Sequence, residues 1–507
     1  MKNTKKTIKQ QKTFTTPQSL NAEIKAICDI MRRSNCAGAM QYVPELTWLL
    51  FLRILDLREI EEQETAEVLG NTFIPSLKSP YRWSDWGGKN GKKRNALVEG
   101  KMGAYFEFIN ADLITHLKAL RNRPNATPRQ KVISEIMSGV ERVRIDTEKN
   151  FLDILDKIDG ITIENVDDTH IFTLSQIYES LLLKMGEKGN DGGQFFTPRE
   201  IIRAMVQTVD PKLGETIYDP CCGTGGFLVQ AYNYLFPKAQ KKGADFLDKL
   251  KHETFFGREK ENLIYPITLA NMVLHGIEQP AIWHGNTLTG NEIFGGLFEQ
   301  SAGKYDVILT NPPFGGKEGK EAQTNFAYKT GATQVLFLQH VIDKLKDKGR
   351  CGIVLDEGVL FRTNETAFVQ TKRKLLDDCN VYCIVSLPAG VFSAAGAGVK
   401  ANILFFQKGK PTEKIWYYDL SDIKVGKRIP FTLDKFDDFF KLLPERKDSE
   451  RSWTVDREII EINNFDLKAV NPNRKTLEDN RTPEELIALI EEKQNEINAA
   501  LKELKGK

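Results

Sequence analysis

The chain has 507 residues, 41% of them hydrophobic and 28% charged, which excludes whole-chain disorder, a collagen-like repeat and a disulfide scaffold. At about 150 residues per domain, the length allows about three domains. Lys plus Arg is 71 and Asp plus Glu is 69, so the net charge of +2 excludes a protein whose whole surface is a polycation and leaves room only for local basic patches.

Residues 1–13 hold Lys2, Lys5, Lys6, Lys9 and Lys12 and no acid, and read as a mobile basic tail. A solubilising end is the preferred reading, with a nucleic-acid arm as the alternative. The N-terminus has no apolar signal-peptide core, and no apolar run approaches the ~20 residues of a membrane span. The expected location is cytoplasmic. Ser19 to about Thr65 has helical spacing: Ile24, Ile27, Cys28 and Met31, then Leu49, Leu52, Ile54 and Leu55.

Residues 71–101 break that pattern with Pro75, Pro80, Gly87, Gly88, Gly91 and Gly100. Lys89, Lys92, Lys93, Arg94 and Lys101 lie beside Trp83 and Trp86 there. The stretch reads either as a basic loop that touches a phosphate backbone or as a solvated loop beside two packed indoles. Helical periodicity returns over Phe106–Leu155 and Ile171–Met185, so residues 1–185 are expected to form a mostly helical domain. Gly186 to Gly193 reads as a hinge.

Beyond the hinge, short β-branched runs alternate with helical stretches. The strand candidates are Thr216–Tyr218, Thr254–Phe256, Ala281–Trp283, Asp306–Thr310, Cys351–Leu355, Val381–Leu387 and Ile403–Gln407, followed by Lys414–Tyr418. This pattern predicts an α/β doubly wound sheet over residues 186–425, with ligands at the carboxyl ends of its strands. Residues 426–507 form a C-terminal region ending in a helix over 483–505. There Ile487, Ile490, Gln494, Ile497, Leu501 and Leu504 step as a heptad seam, against the chain's own surface or a partner helix. Seven scattered cysteines and six scattered histidines give no ligand set, so no metal is expected.

Four motifs carry chemistry. Asp219-Pro220-Cys221-Cys222-Gly223-Thr224-Gly225-Gly226-Phe227 follows the first strand. Its glycines suit close approach to a nucleotide-like cofactor, while its spacing fits neither a dinucleotide fingerprint nor a P-loop. Glu259 ends the second strand, where an acid can accept both hydrogen bonds of a ribose diol. Asn286, after the third, offers a polar contact to an adenine ring.

Asn311-Pro312-Pro313-Phe314 follows the strand ending at Thr310. Two prolines stiffen that loop, so the Asn311 side-chain oxygen and the Pro312 carbonyl can both accept from one planar amino group. Phe314 offers a ring for a base to stack on. Gln194-Phe195-Phe196-Thr197-Pro198-Arg199 precedes the first strand and opens a helix whose N-terminus suits a carboxylate.

In this order, aromatic-Thr-Pro, Asp-Pro-x-x-Gly-x-Gly-Gly, acid and Asn-Pro-Pro-Phe, the chain resembles class I S-adenosylmethionine-dependent amino-methyltransferases. It is similar to the gamma arrangement of DNA adenine N6-methyltransferases. Val43 to Arg53 and Asn464-Phe465-Asp466-Leu467 further resemble the modification subunit of type I restriction–modification systems. The Cys221-Cys222 pair departs mildly from the small residues usual there.

The resemblance implies that Gln194 to Arg199, Thr224 to Gly226 and Glu259 hold S-adenosylmethionine, alongside Asp219, Gly223 and Asn286 of the motifs above. It implies that Asn311 to Phe314 hold a flipped adenine, with direct methyl transfer to its exocyclic nitrogen. The implied partners are double-stranded DNA, a specificity subunit, a second copy of the chain and a restriction subunit. A methyltransferase acting on protein glutamine or RNA, and a non-catalytic scaffold, are the alternatives. Gly315 to Gln334 reads either as a segment that orders on DNA or as a plain surface loop.

Overall fold

The computed structural model describes residues 17–36, 38–160, 197–301, 303–392, 400–426, 429–473, 482, 486–495 and 498. The basic tail, the Ile171–Met185 helix, the glycine hinge, Gln194 to Phe196 and the seam residues Ile497, Leu501 and Leu504 lie outside the described residues.

The N-terminal part is helical. Pro17–Arg33 buries Ile24, Ile27, Cys28 and Met31. Ala39–Val68 is apolar on nearly all sides from Val43 to Leu57, the pattern of a helix at the centre of a core. The stretch 71–101 packs onto that helix. Trp83 and Trp86 are buried, and Trp86 stacks on Trp48 with ring centroids 6.3 Å apart. Two carboxylates anchor the irregular backbone. Asp56 accepts from Ser84 N at 3.2 Å, and Asp159 accepts from Trp83 Nε1 at 3.0 Å and Lys89 N at 2.9 Å. Arg94 is internal, paired with Asp156 and donating to Gly87 O, whereas Lys89, Lys92 and Lys101 are exposed.

Among the described residues, ten strands form one mixed sheet: β1 Ile217–Asp219, β2 Phe255–Glu259, β3 Ala281–Gly285, β4 Glu292–Phe294, β5 Tyr305–Thr310, β6 Leu345–Asp356, β7 Cys379–Ser386, β8 Ala401–Lys408, β9 Lys414–Asp419 and β10 Ser452–Asp456. The order is β10-β9-β7-β8-β6-β5-β1-β2-β3-β4. The block β3-β2-β1-β5-β6 is parallel throughout. β8 lies antiparallel between β6 and β7, and β9 runs parallel to β7. The two edge strands, β4 and β10, pair antiparallel and are absent from the sequence-based reading. Because β10 pairs with β9, the sheet continues past residue 425 into the C-terminal region.

Strand alternation sends side chains to two faces. Ile217, Val307 and Leu309 meet helices Arg199–Val209, Gly226–Lys242 and Ile264–Leu274, in one apolar cluster that extends into the N-terminal helices. Tyr218, Phe256 and Ile308 meet helices Thr333–Lys344 and Thr366–Asp378 on the opposite face. The strand order reverses direction at β1, with β2 on one side and β5 on the other. A crevice at the carboxyl ends is the geometric result.

Among the described residues no helix is long and apolar enough to cross a membrane. In the C-terminal helix, residues 486–495, Ile487 and Ile490 are 57% and 66% exposed.

Candidate active site

A cavity of about 310 Å³ opens at that reversal point. It collects the strand-end loops in turn: Asp219 to Thr224 with Gly226 after β1, Glu259 at the end of β2, Asn286 to Leu288 after β3, and Asn311, Pro313 and Phe314 after β5. Thr197 joins them from the start of helix Arg199–Val209. Four described candidates, Pro198, Arg199, Gly225 and Pro312, do not line the cavity. Pro198 caps the helix that Arg199 begins.

Gly225 shapes the turn between β1 and the helix that follows. It takes φ +82° to start helix Gly226–Lys242, and a Cβ there would press on Thr268 Cγ2 at 3.3 Å. The loop is held from behind by helix Ile264–Leu274. Thr268 Oγ1 donates to Gly223 O, and Asn271 Nδ2 donates to Thr224 O at 2.8 Å. Both residues are fully buried. They are sites that motif reading missed. The available signal was two polar residues, three apart, in an otherwise apolar helix.

Two carboxylates stand in the wall. Asp219 Oδ1 accepts from Thr310 Oγ1 at 2.7 Å and Cys221 N at 3.2 Å, and burial pushes its pKa up to about 7. Glu259 Oε1 accepts from Lys260 N at 2.8 Å and Glu261 N at 2.7 Å. Burial pushes Glu259 up to about 7 as well, partly opposed by these backbone bonds. The Asn286 side-chain Oδ1 accepts from Leu288 N at 3.0 Å and Thr289 N at 3.3 Å, which leaves its side-chain amino group for other partners.

The Cys221-Cys222 pair fits the loop without reactive character. Cys222 packs against Gly257, Cys221 Sγ lies 3.1 Å from Thr310 Oγ1, and burial pushes both thiols up.

The β5 loop presents two acceptors. Asn311 Nδ2 donates to Thr197 Oγ1 at 3.0 Å. Among the described residues its buried Oδ1 has no hydrogen-bond partner. The Pro312 carbonyl accepts from Gln334 Nε2 at 3.2 Å and keeps a second lone pair. Phe314 meets Phe392 edge-on at 5.1 Å. A neighbouring cleft, bordered by Lys317, Asp356 and Arg362, shares Gly315, Gly316 and Thr333 with the cavity. The segment 315–334 is tied down by Glu318 N donating to Gly331 O at 2.8 Å and Asn325 Nδ2 donating to Leu288 O at 3.0 Å.

The chain matches the N-6 DNA Methylase family over residues 169–480 and the HsdM N-terminal domain over residues 20–140. It is 35% identical over 508 residues to the type I restriction enzyme EcoEI methylase subunit of Escherichia coli, covering 96% of this chain and 97% of that one. A chain from a structural study of complex assembly and conformational transition in the type I R-M system superposes with a TM-score of 0.76 at 37% identity, over 97% of this chain and 98% of the other. The modification subunit assigned to a type I restriction enzyme of Vibrio vulnificus YJ016 superposes at 0.77 with 33% identity, over 91% and 98%. The loops gathered around one crevice and these full-length similarities agree: the chain belongs to the methylase subunits of type I restriction–modification systems, which are N6-adenine DNA methyltransferases.

Proposed function

We propose that the cavity holds S-adenosylmethionine and that Asn311, Pro312, Pro313 and Phe314 hold an adenine flipped out of double-stranded DNA. The observation that carries this reading is the buried Asn311 Oδ1 at the cavity wall, which has no hydrogen-bond partner among the described residues. A buried acceptor left unsatisfied costs about 1–3 kcal/mol, so its persistence suits a donor that arrives with the substrate. The cofactor fits the residues present: a glycine-bearing loop on one side and a buried carboxylate, Glu259, at the second strand end.

When bound, S-adenosylmethionine supplies an electrophilic methyl group on a leaving group already activated by its positive charge. The protein's part is positioning. Glu259 would accept hydrogen bonds from the ribose hydroxyls, and Asp219 to Gly226 with Thr197 would hold the rest of the cofactor. Asn311 Oδ1 and Pro312 O accept the two amino hydrogens of adenine. That pairing draws the nitrogen lone pair out of conjugation and stabilises the positive charge it gains on attack. Phe314 stacks on the base.

The chain works in the cytoplasm as part of an assembly with a specificity subunit, a second copy of itself and, in restriction, a nuclease subunit. The exposed Ile487 and Ile490 of the C-terminal helix support a partner on that helix.

The test is methyl transfer from labelled S-adenosylmethionine to unmodified genomic DNA, with the chain alone and with the specificity subunit. Label on adenine is expected only in the mixture. Asn311→Ala is expected to lower transfer by about 100-fold or more while cofactor binding stays unchanged. Transfer by the variant at the parental rate would remove Asn311 from the reaction.

A further inference from the structure

Gln334 belongs to none of the motifs, yet it is buried and both ends of its amide are engaged across the site. It is the second residue of helix Thr333–Lys344, at the end of the segment that follows the catalytic loop. Its Nε2 donates to Pro312 O at 3.2 Å, and its Oε1 accepts from Asp356 N at 2.8 Å. Asp356 ends β6, the strand beside β5, and its own Oδ1 caps the short helix Glu357–Phe361 through Val359 N at 3.0 Å. Gln334 therefore ties the Asn311–Phe314 loop to the end of the neighbouring strand.

We propose that Gln334 is a positioning residue for methyl transfer, one that acts through the Pro312 carbonyl. The inference rests on the reading of Asn311 and Pro312 as the acceptors of the adenine amino group. The Pro312 carbonyl shares its peptide with the Pro313 nitrogen, which carries no hydrogen, so that peptide has no N–H of its own to anchor it and the carbonyl takes its direction from an outside donor. One lone pair is committed to Gln334 and the other stays for an amino hydrogen. Asn311 is held in a similar way, because its amide nitrogen is committed to Thr197 Oγ1 and its oxygen is left over. Both acceptors are thus oriented before a base enters. Orientation fixed in advance, with no reorganisation during attack, is where such acceptors gain their effect on rate.

Two substitutions separate positioning from structural support, measured in the chain assembled with its specificity subunit. Gln334→Glu keeps the acceptor for Asp356 N and removes the donor to Pro312 O. Gln334→Met has the same length and removes both bonds. Both variants are expected to lower kcat by about 10-fold or more, with the dissociation constant for S-adenosylmethionine within about twofold of the parent. Asn311→Ala is run alongside as the control on the underlying reading.

If Gln334→Glu transfers at the parental rate while Asn311→Ala is inactive, the Pro312 contact is idle and the proposal falls. If both Gln334 variants lose cofactor binding as well, the residue supports the whole cavity and the proposal also falls. If Asn311→Ala is active, the reading of the acceptors fails first.

Discussion

The carboxylate that ends β2 meets opposite demands from the fold and from the ribose role proposed for it. Glu259 is buried and its pKa is pushed up to about 7, above the usual carboxylate range. A group that binds its proton more tightly in the folded state costs stability as pH rises from the unfolded pKa to the folded one. For Glu259 that window runs from 4.5 to about 7. Accepting two hydroxyl donors needs the ionised form, which is the form the fold disfavours. Glu259→Gln is therefore expected to raise the melting temperature of the cofactor-free protein at pH 8 and to weaken S-adenosylmethionine binding by about 10-fold or more. In the parent, cofactor affinity should fall as pH drops through about 7. Asp219 titrates in the same range, so the glutamine variant is the reference that isolates the Glu259 share. Calorimetry at pH 6 and pH 8 on both proteins checks this. A variant that binds the cofactor as well as the parent would place the ribose elsewhere. Candidate residues inside a contiguous motif, such as Glu259 or Asn311, were legible because the chemistry and the strand end lie side by side in sequence. Thr310, Thr268, Asn271 and Gln334 were not, because each acts on a loop between about 20 and 90 residues away that only the fold brings near.

At the scale of elements, helix Ile264–Leu274 stands between the N-terminal helices and the glycine loop. On one side Arg58 Nη1 donates to Val273 O at 2.9 Å, and Arg129 lies 3.5 Å from Glu278 just beyond the helix. On the other side Thr268 and Asn271 hold the carbonyls of Gly223 and Thr224. The glycine loop is thereby braced by a helix that the N-terminal part itself packs against. Asn271→Leu keeps the side-chain volume and removes one brace, at about 1–2 kcal/mol, or roughly tenfold in affinity for the cofactor. The rate at saturating cofactor should not change, because the β5 loop is untouched. A titration of rate against S-adenosylmethionine reads both quantities, and a lowered rate with unchanged affinity would contradict the bracing role. The parallel strands were visible in the sequence because buried strands read as β-branched runs. The two edge strands were not. Glu292–Phe294 has three half-exposed or exposed residues, and Ser452–Asp456 is flanked by Arg451 and Arg457, so neither has the apolar signature that burial on both faces imposes.

At the scale of the molecule, the C-terminal helix is the element on which the proposed partner contact is tested. Its seam steps by three or four positions and is apolar except at Gln494, and the described seam residues Ile487 and Ile490 are more than half exposed. An isolated helix of this length is marginal in water, because nucleation is costly and few hydrogen bonds repay it. Burial against a partner helix contributes about 1.5–3 kcal/mol per isoleucine, enough to make the helix and the contact form together. The cavity draws its described walls from residues 197 to 337, and the last described strand ends at Asp456, so neither includes the described residues of this helix. A chain ending at Arg481 is therefore expected to bind S-adenosylmethionine like the full chain and to lose co-purification with the specificity subunit. Paired substitution of Ile487 and Ile490 by Glu should weaken the same association without removing any backbone. Should the shortened chain still co-purify at full yield, the docking surface lies elsewhere, and the seam would have to pack on its own protein.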